Sequence, residues 1–151
     1  PSKIQLIDCM PSLSVLTVNE LVAADSVIIP VQSQFLAAKG MTQLVKTIDK
    51  VKRQINPSLK IDGILLTLVD GRTNLSKSTK EAIVNDYGKY LKIFDTQIPM
   101  GIKAAETAIR GKSIFAYDKN SKVAKAYVDF TKEVLKLERK EKNRLQSEQT
   151  R

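Results

Sequence analysis

Three near-continuous aliphatic runs constrain this chain most: Ile4 to Ile7, Val27 to Val31, and Ile61 to Val69. A strand with one face in water alternates apolar and polar residues, whereas a strand covered on both faces does not. These runs belong to the second kind. Helix-length segments separate them, and parallel neighbours need such crossovers. A weaker run, Ile93 to Ile98, reads as a fourth strand. The expected fold is therefore a parallel α/β layer structure.

The helical segments differ in clarity. Ser12 is positioned to cap a short helix running to about Ala24. Met41, Leu44, Val45, Ile48, Val51 and Ile55 recur at spacings of three and four, and Asn56-Pro57 stops that helix. A third helix starts near Leu75, with Ser78 and Glu81 as a possible capping box and Thr73 and Asn74 as simple helix caps, and ends around Tyr87-Gly88. The last carries Val123, Tyr127, Phe130, Val134 and Leu137 on one face. The apolar stripe then gives way to Glu138-Arg139-Lys140-Glu141-Lys142, read as either a helical extension or a disordered tail. Residues 1–137 are thus one domain and 138–151 a charged appendage.

Composition removes several chemistries. The chain has no histidine, which excludes His-based catalysis and most zinc sites. A single cysteine, Cys9, rules out an internal disulfide and reads as a small packing residue in a reducing compartment. With no Trp and only 5% aromatic residues, the core must be aliphatic. No apolar run approaches a membrane span, and the tail lacks the large apolar residues of a membrane-surface helix. A net charge of +9, from 25 basic and 16 acidic residues, favours polyanionic partners. The chain starts at Pro1 and enters its first apolar run almost at once, so it reads as a piece of a longer one.

The run Ile4 to Ile7 ends in Asp8, followed by a turn containing Pro11. An acid at the carboxyl end of a buried parallel strand faces the ligand crevice of an α/β sheet. There it handles magnesium or its water, or it simply caps the next helix. Gln32 and Gln34 end the next run and can face the same crevice. No G-x-x-x-x-G-K-[ST] loop occurs in the 151 residues.

Three segments, DCMPSLSVLTVNELVAADSVIIPVQSQFLAAKGMTQL, GILLTLVDGRTNLS and IFDTQIP, occur in this order. Together they resemble the ParA/Soj family of deviant P-loop ATPases, over about Ile4 to Leu135. The resemblance covers only the C-terminal part of that family's domain. It implies a three-layer P-loop NTPase-like fold, mostly parallel sheet flanked by helices, lacking the N-terminal P-loop half. It also implies ATP-dependent DNA partitioning of plasmids, chromosomes or mobile elements. In that scheme ATP and Mg2+ drive a homodimer that binds DNA without sequence preference. A ParB-like protein activates hydrolysis, in the bacterial cytoplasm at the nucleoid.

The implied roles fall on particular residues. Asp8 is the catalytic acid and holds magnesium through water, and Pro11 matches the same motif. Gln32 lies on the matching switch-like loop, where Gln34 replaces the family's usual Glu. Asp70 and the backbone near Pro99 flank the base. Arg72 and Lys103 contact DNA, with Lys103 supplying a point charge rather than a planar fork. The 151 residues alone are expected to be inactive. The alternative is a basic α/β interaction or nucleic-acid-binding module without nucleotide hydrolysis.

Overall fold

In a computed structural model, the structure describes residues 4–9, 14–33 and 38–149. The elements are α1 (Val15–Ala23), β1 (Ser26–Gln32), α2 (Ala38–Gln54), β2 (Lys60–Thr67), α3 (Asn74–Tyr87), α4 (Ile102–Arg110), α5 (Ile114–Asp118) and α6 (Lys122–Gln149). They divide into two compact units, Pro1–Val27 with Ala37–Ile61, and Ile28–Leu36 with Asp62–Arg151.

In the first unit, α1 packs on α2. Half of the expected stripe packs fully, with Met41, Ile48 and Val51 buried together with Leu21 and Leu59; Leu44 and Val45 are half-buried, and Ile55 lies past the helix end and is exposed. A helix leaves its last carbonyls without intrahelical partners. Here Asn56 supplies them, its side-chain amide donating to the carbonyls of Leu21, Val22 and Ala24 at 3.2, 3.1 and 2.9 Å. Asn56 thus closes α1 as well as following α2. The N-cap of α1 is Ser14. The proposed cap Ser12 lies outside the described residues, as do Pro11 and Gln34.

The first run behaves differently from expectation. Residues 4–9 form no strand among the described residues, and Leu6 is 91% exposed. Ile4 and Ile7 are about half exposed. Cys9 is exposed rather than packed. An aliphatic run becomes a buried strand only where backbone and side chains find partners, and no described residue pairs with this one.

β1 and β2 pair in parallel, as their ends show. Lys60 N–H donates to Asp25 O at one end, and Ser33 N–H donates to Thr67 O at the other. Gly63 to Leu66 of β2 are fully buried, as a doubly covered strand requires. In β1 only Ile29 is buried, and Pro30, which lacks an N–H, is exposed as in an edge strand.

In the second unit the fourth run adds only single parallel bridges, Ile64 with Ile93 and Val69 with Pro99. Its core is Leu65, Phe94, Ile98 and Val123, with Ile28, Ala104, Ile114, Phe130, Val134 and Leu137 packed around it. Gly63 permits the close approach. Its φ is +155°, and a Cβ there would lie 2.8 Å from Lys92 O and 2.9 Å from the Phe94 ring.

The cap of α3 is Thr73, whose hydroxyl accepts from Ser76 N–H, not the Ser78–Glu81 pair. The charged tail continues α6 to Gln149. No described helix is long and apolar enough to cross a membrane.

Candidate nucleotide site and basic residues

The carboxyl end of β2 turns sharply. Leu68 has φ +52°, a left-handed conformation costing a non-glycine residue about 1–2 kcal/mol. A buried hydroxyl pair holds this turn. Ser33 Oγ donates to Leu68 O at 3.0 Å. Its single proton is thereby used, so Ser76 donates across the 3.0 Å contact between the two hydroxyls. Ser76 Oγ in turn accepts Asp70 N–H at 3.2 Å. Thr73 Oγ1 donates to Asp70 O at 3.0 Å. These bonds tie the end of β1, the 68–70 turn and the first turn of α3 into one polar network.

Asp70 points its carboxylate at Arg72. Oδ1 accepts from the Arg72 backbone N–H and from Nε, both at 3.1 Å, and Oδ2 accepts from Nη2 at 3.3 Å. The Arg72 side chain, then its backbone amide, hold the Asp70 carboxyl below the usual carboxylate range. Asp70 reciprocally raises the guanidinium. The Arg72 side chain is 90% exposed. It is therefore a presented cation, with a carboxylate behind it.

Beside this turn, an open cleft of about 480 Å³ is lined by Val69, Gly71 and Pro99 on one side and by Lys122, Lys125 and Asp129 of α6 on another. Thr96 and Gln97 complete its wall. Its lining mixes apolar surface from Val69, Pro99 and Ala126 with polar and charged groups from Thr96, Gln97, Lys122, Lys125 and Asp129. Pro99 lines this cleft directly, whereas Asp70 adjoins it through Val69 and Gly71. The α6 residues escaped the sequence reading. They lie between the apolar positions of a helix and more than 20 residues from Pro99, so no local pattern marks them.

Gln32 ends β1 with its side chain exposed, one residue before the hydroxyl network. Asp8 is exposed in the first unit. The Cys9 thiol beside it is pushed up to about 11, first by desolvation, then by Glu20 and by Asp8. A thiol so raised is not a nucleophile at neutral pH.

Lys103 sits in the first turn of α4, where the helix dipole disfavours a cation. Asp118 at the end of α5 offsets this, accepting from Lys103 Nζ at 2.7 Å. Asp118 raises the ammonium, and Lys103 lowers the carboxyl. The same two helices are tied by Tyr117 O–H donating to Glu106 at 2.6 Å, with Arg110 stacked 5.4 Å from the Tyr117 ring centre. Both candidate DNA contacts, Arg72 and Lys103, are thus exposed cations already paired with one carboxylate. Water screens such exposed pairs, so a phosphate can compete for either cation.

No group of three metal-ligating side chains occurs among the described residues. A magnesium ion at nucleotide phosphates needs only one or two carboxylates, with water and phosphate oxygens filling the rest. The single exposed carboxylate of Asp8 fits that lesser role.

Parallel strands flanked by helices, with polar loops at their carboxyl ends, define an α/β protein of the P-loop NTPase type. Solved structures agree. Cobyrinic acid a,c-diamide synthase from Mycobacterium smegmatis superposes with a TM-score of 0.68 at 36% identity, covering 85% of this chain and 44% of that one. The same enzyme is known with ADP and magnesium, and with an ATP analogue and magnesium. The AAA domain family matches residues 3–61. The chromosome partitioning protein ParA of Caulobacter vibrioides is 40% identical over 134 residues, 89% of this chain and 49% of that protein. The sporulation initiation inhibitor protein Soj of Bacillus subtilis is 42% identical over 131 residues, 85% of this chain and 50% of that protein. The chain is thus similar to ParA and Soj over 85–89% of its length, as a match to the C-terminal part of those proteins. It spans about half the length of the curated relatives it matches.

Proposed function

We propose that the chain is the C-terminal part of a DNA-partitioning ATPase. The observation that carries this reading is the 40–42% identity to chromosome partitioning ParA and Soj over 131–134 residues. ATP would be the substrate, and Mg2+ would supply charge neutralisation for its phosphates. Asp8 would hold magnesium through water, or orient the attacking water through its carboxylate, and Pro11 belongs to the same nucleotide motif. Gln32 and Asp70 contribute polar groups at the strand ends. Pro99 and the cleft beside it take the base. Arg72 and Lys103 contact DNA phosphates, which carry no sequence information, so binding is non-specific and salt-dependent. The working unit is a nucleotide-bridged homodimer at the bacterial nucleoid, triggered by a ParB-like activator.

The test is ATP turnover by the full-length protein with DNA present. Asp8→Ala should abolish turnover while leaving the circular dichroism spectrum unchanged. Near-normal turnover would reduce Asp8 to a cap and remove it from the chemistry. The 151 residues alone, which contain no G-x-x-x-x-G-K-[ST] loop, should show no turnover.

A further inference from the structure

We infer that Glu133 is a positioning residue for the base cleft, pinning the wall formed by Thr96 and Gln97 to helix α6. The inference rests on reading that cleft as the base pocket. The cleft-lining residues of α6, Lys122, Lys125, Ala126 and Asp129, follow helical spacing along one face. Glu133 is the next position on that face, four residues beyond Asp129. Its side chain is only 14% exposed. Oε1 accepts from Asp95 N–H at 3.1 Å, and Oε2 accepts from Thr96 N–H at 3.1 Å. Lys92 Nζ lies 3.1 Å from Oε1.

The backbone around these amides explains why a carboxylate is needed. Phe94 N–H and Ile98 N–H donate to Ile64 O and Leu66 O of β2. Between those anchors the chain leaves the sheet, and the amides of Asp95 and Thr96 turn to Glu133 instead. Hydrogen bonds to an ionised acceptor are roughly twice as strong as neutral ones. The carboxylate thereby joins the two walls of the cleft, one on α6 and one on the 95–99 segment. Desolvation works against its charge, but the Thr96 and Asp95 amides and Lys92 together hold Glu133 below the usual carboxylate range. It is therefore ionised, and accepting, at neutral pH.

Glu133→Gln tests this in the full-length protein, because it keeps the shape but turns one oxygen into a donor facing an amide. The probes are a fluorescent ATP analogue with Mg2+, and inorganic tripolyphosphate, which has no base. Affinity for the ATP analogue should fall about tenfold, the scale of one lost charge-assisted hydrogen bond, while tripolyphosphate affinity stays the same. Lys92→Gln, which spares both amide bonds, should bind both probes as the wild type does. Unchanged analogue affinity in Glu133→Gln, or an equal loss for both probes, overturns the positioning role. Equal binding of analogue and tripolyphosphate by the wild type would instead refute the base-pocket reading. Hydrogen exchange then judges the pin by itself. Glu133→Gln should speed exchange at the Asp95 and Thr96 amides but not at Leu66, and unchanged protection at both would overturn it.

Discussion

Gly63→Ala should be among the most damaging single-methyl additions available in this chain. Two independent costs meet there. The backbone sits at φ +155°, a conformation nearly confined to glycine, and forcing alanine into it costs on the order of 1–3 kcal/mol. The new Cβ would also stand 2.8 Å from Lys92 O and 2.9 Å from Phe94 Cε2. Neither neighbour can yield cheaply. The first is backbone, and the Phe94 ring is 2% exposed and packed edge-on against Phe130 at 5.0 Å. Overpacking of this kind costs about 1–3 kcal/mol. Restricting the unfolded chain returns about 0.4–1 kcal/mol. The net loss is then roughly 1–6 kcal/mol, a large share of a domain stability of about 5–15 kcal/mol. Urea denaturation followed by far-ultraviolet circular dichroism measures it, because the chain has no tryptophan to report fluorescence. Gly71→Ala is the control, since a Cβ there meets nothing within 4 Å. A Gly63→Ala midpoint equal to that of Gly71→Ala, with the same denaturant slope, would refute the reasoning.

Other outcomes follow from the same geometry. Arg72→Ala and Lys103→Ala should each weaken DNA binding about equally across sequences and lower the salt slope by about one, and an unchanged slope in the double variant would put the basic face elsewhere. Thr73→Ala should cost about 1 kcal/mol through the lost cap, while Ser78→Ala stays within about 0.5 kcal/mol; urea titration of both variants separates the two capping assignments. The folded-state carboxyl of Glu133 is lowered, so its stabilisation is present above the unfolded value of about 4.3 and is lost as pH falls through the lower folded value. The stability gap between wild type and Glu133→Gln should therefore shrink below about pH 4, and a gap that widens in acid would contradict the assignment.

What the sequence made legible was regular and local. The α2 stripe is self-contained, so Met41, Ile48 and Val51 could be read as buried from spacing alone. β2 was readable because four consecutive residues are covered on both faces. The run Ile4 to Ile7 has the same composition, yet burial depends on a partner that composition does not encode. α4 and α5 were not foreseen. Each is short, and their pairing rests on Lys103–Asp118 and Glu106–Tyr117, contacts 15 and 11 residues apart that follow no repeat. The candidate cleft was half legible. Pro99 lies within a recognisable segment, but Lys122, Lys125 and Asp129 look like the solvated side of an amphipathic helix until the fold brings them to the cleft. Glu133 was hidden in the same way.

The length of α6 has its own consequence. Its packing stripe ends at Leu137, but the helix continues to Gln149. At 1.5 Å per residue, that overhang is a rod of about 18 Å. Arg144 pairs with Glu141 and Glu148 at 3.8 and 3.6 Å, and such pairs contribute only about 0.2–0.5 kcal/mol each, diminishing as salt rises. The overhang is thus a charged arm whose stiffness is set by the ionic medium. As salt rises these pairs are screened, and residues 138–149 lose that part of their helical support.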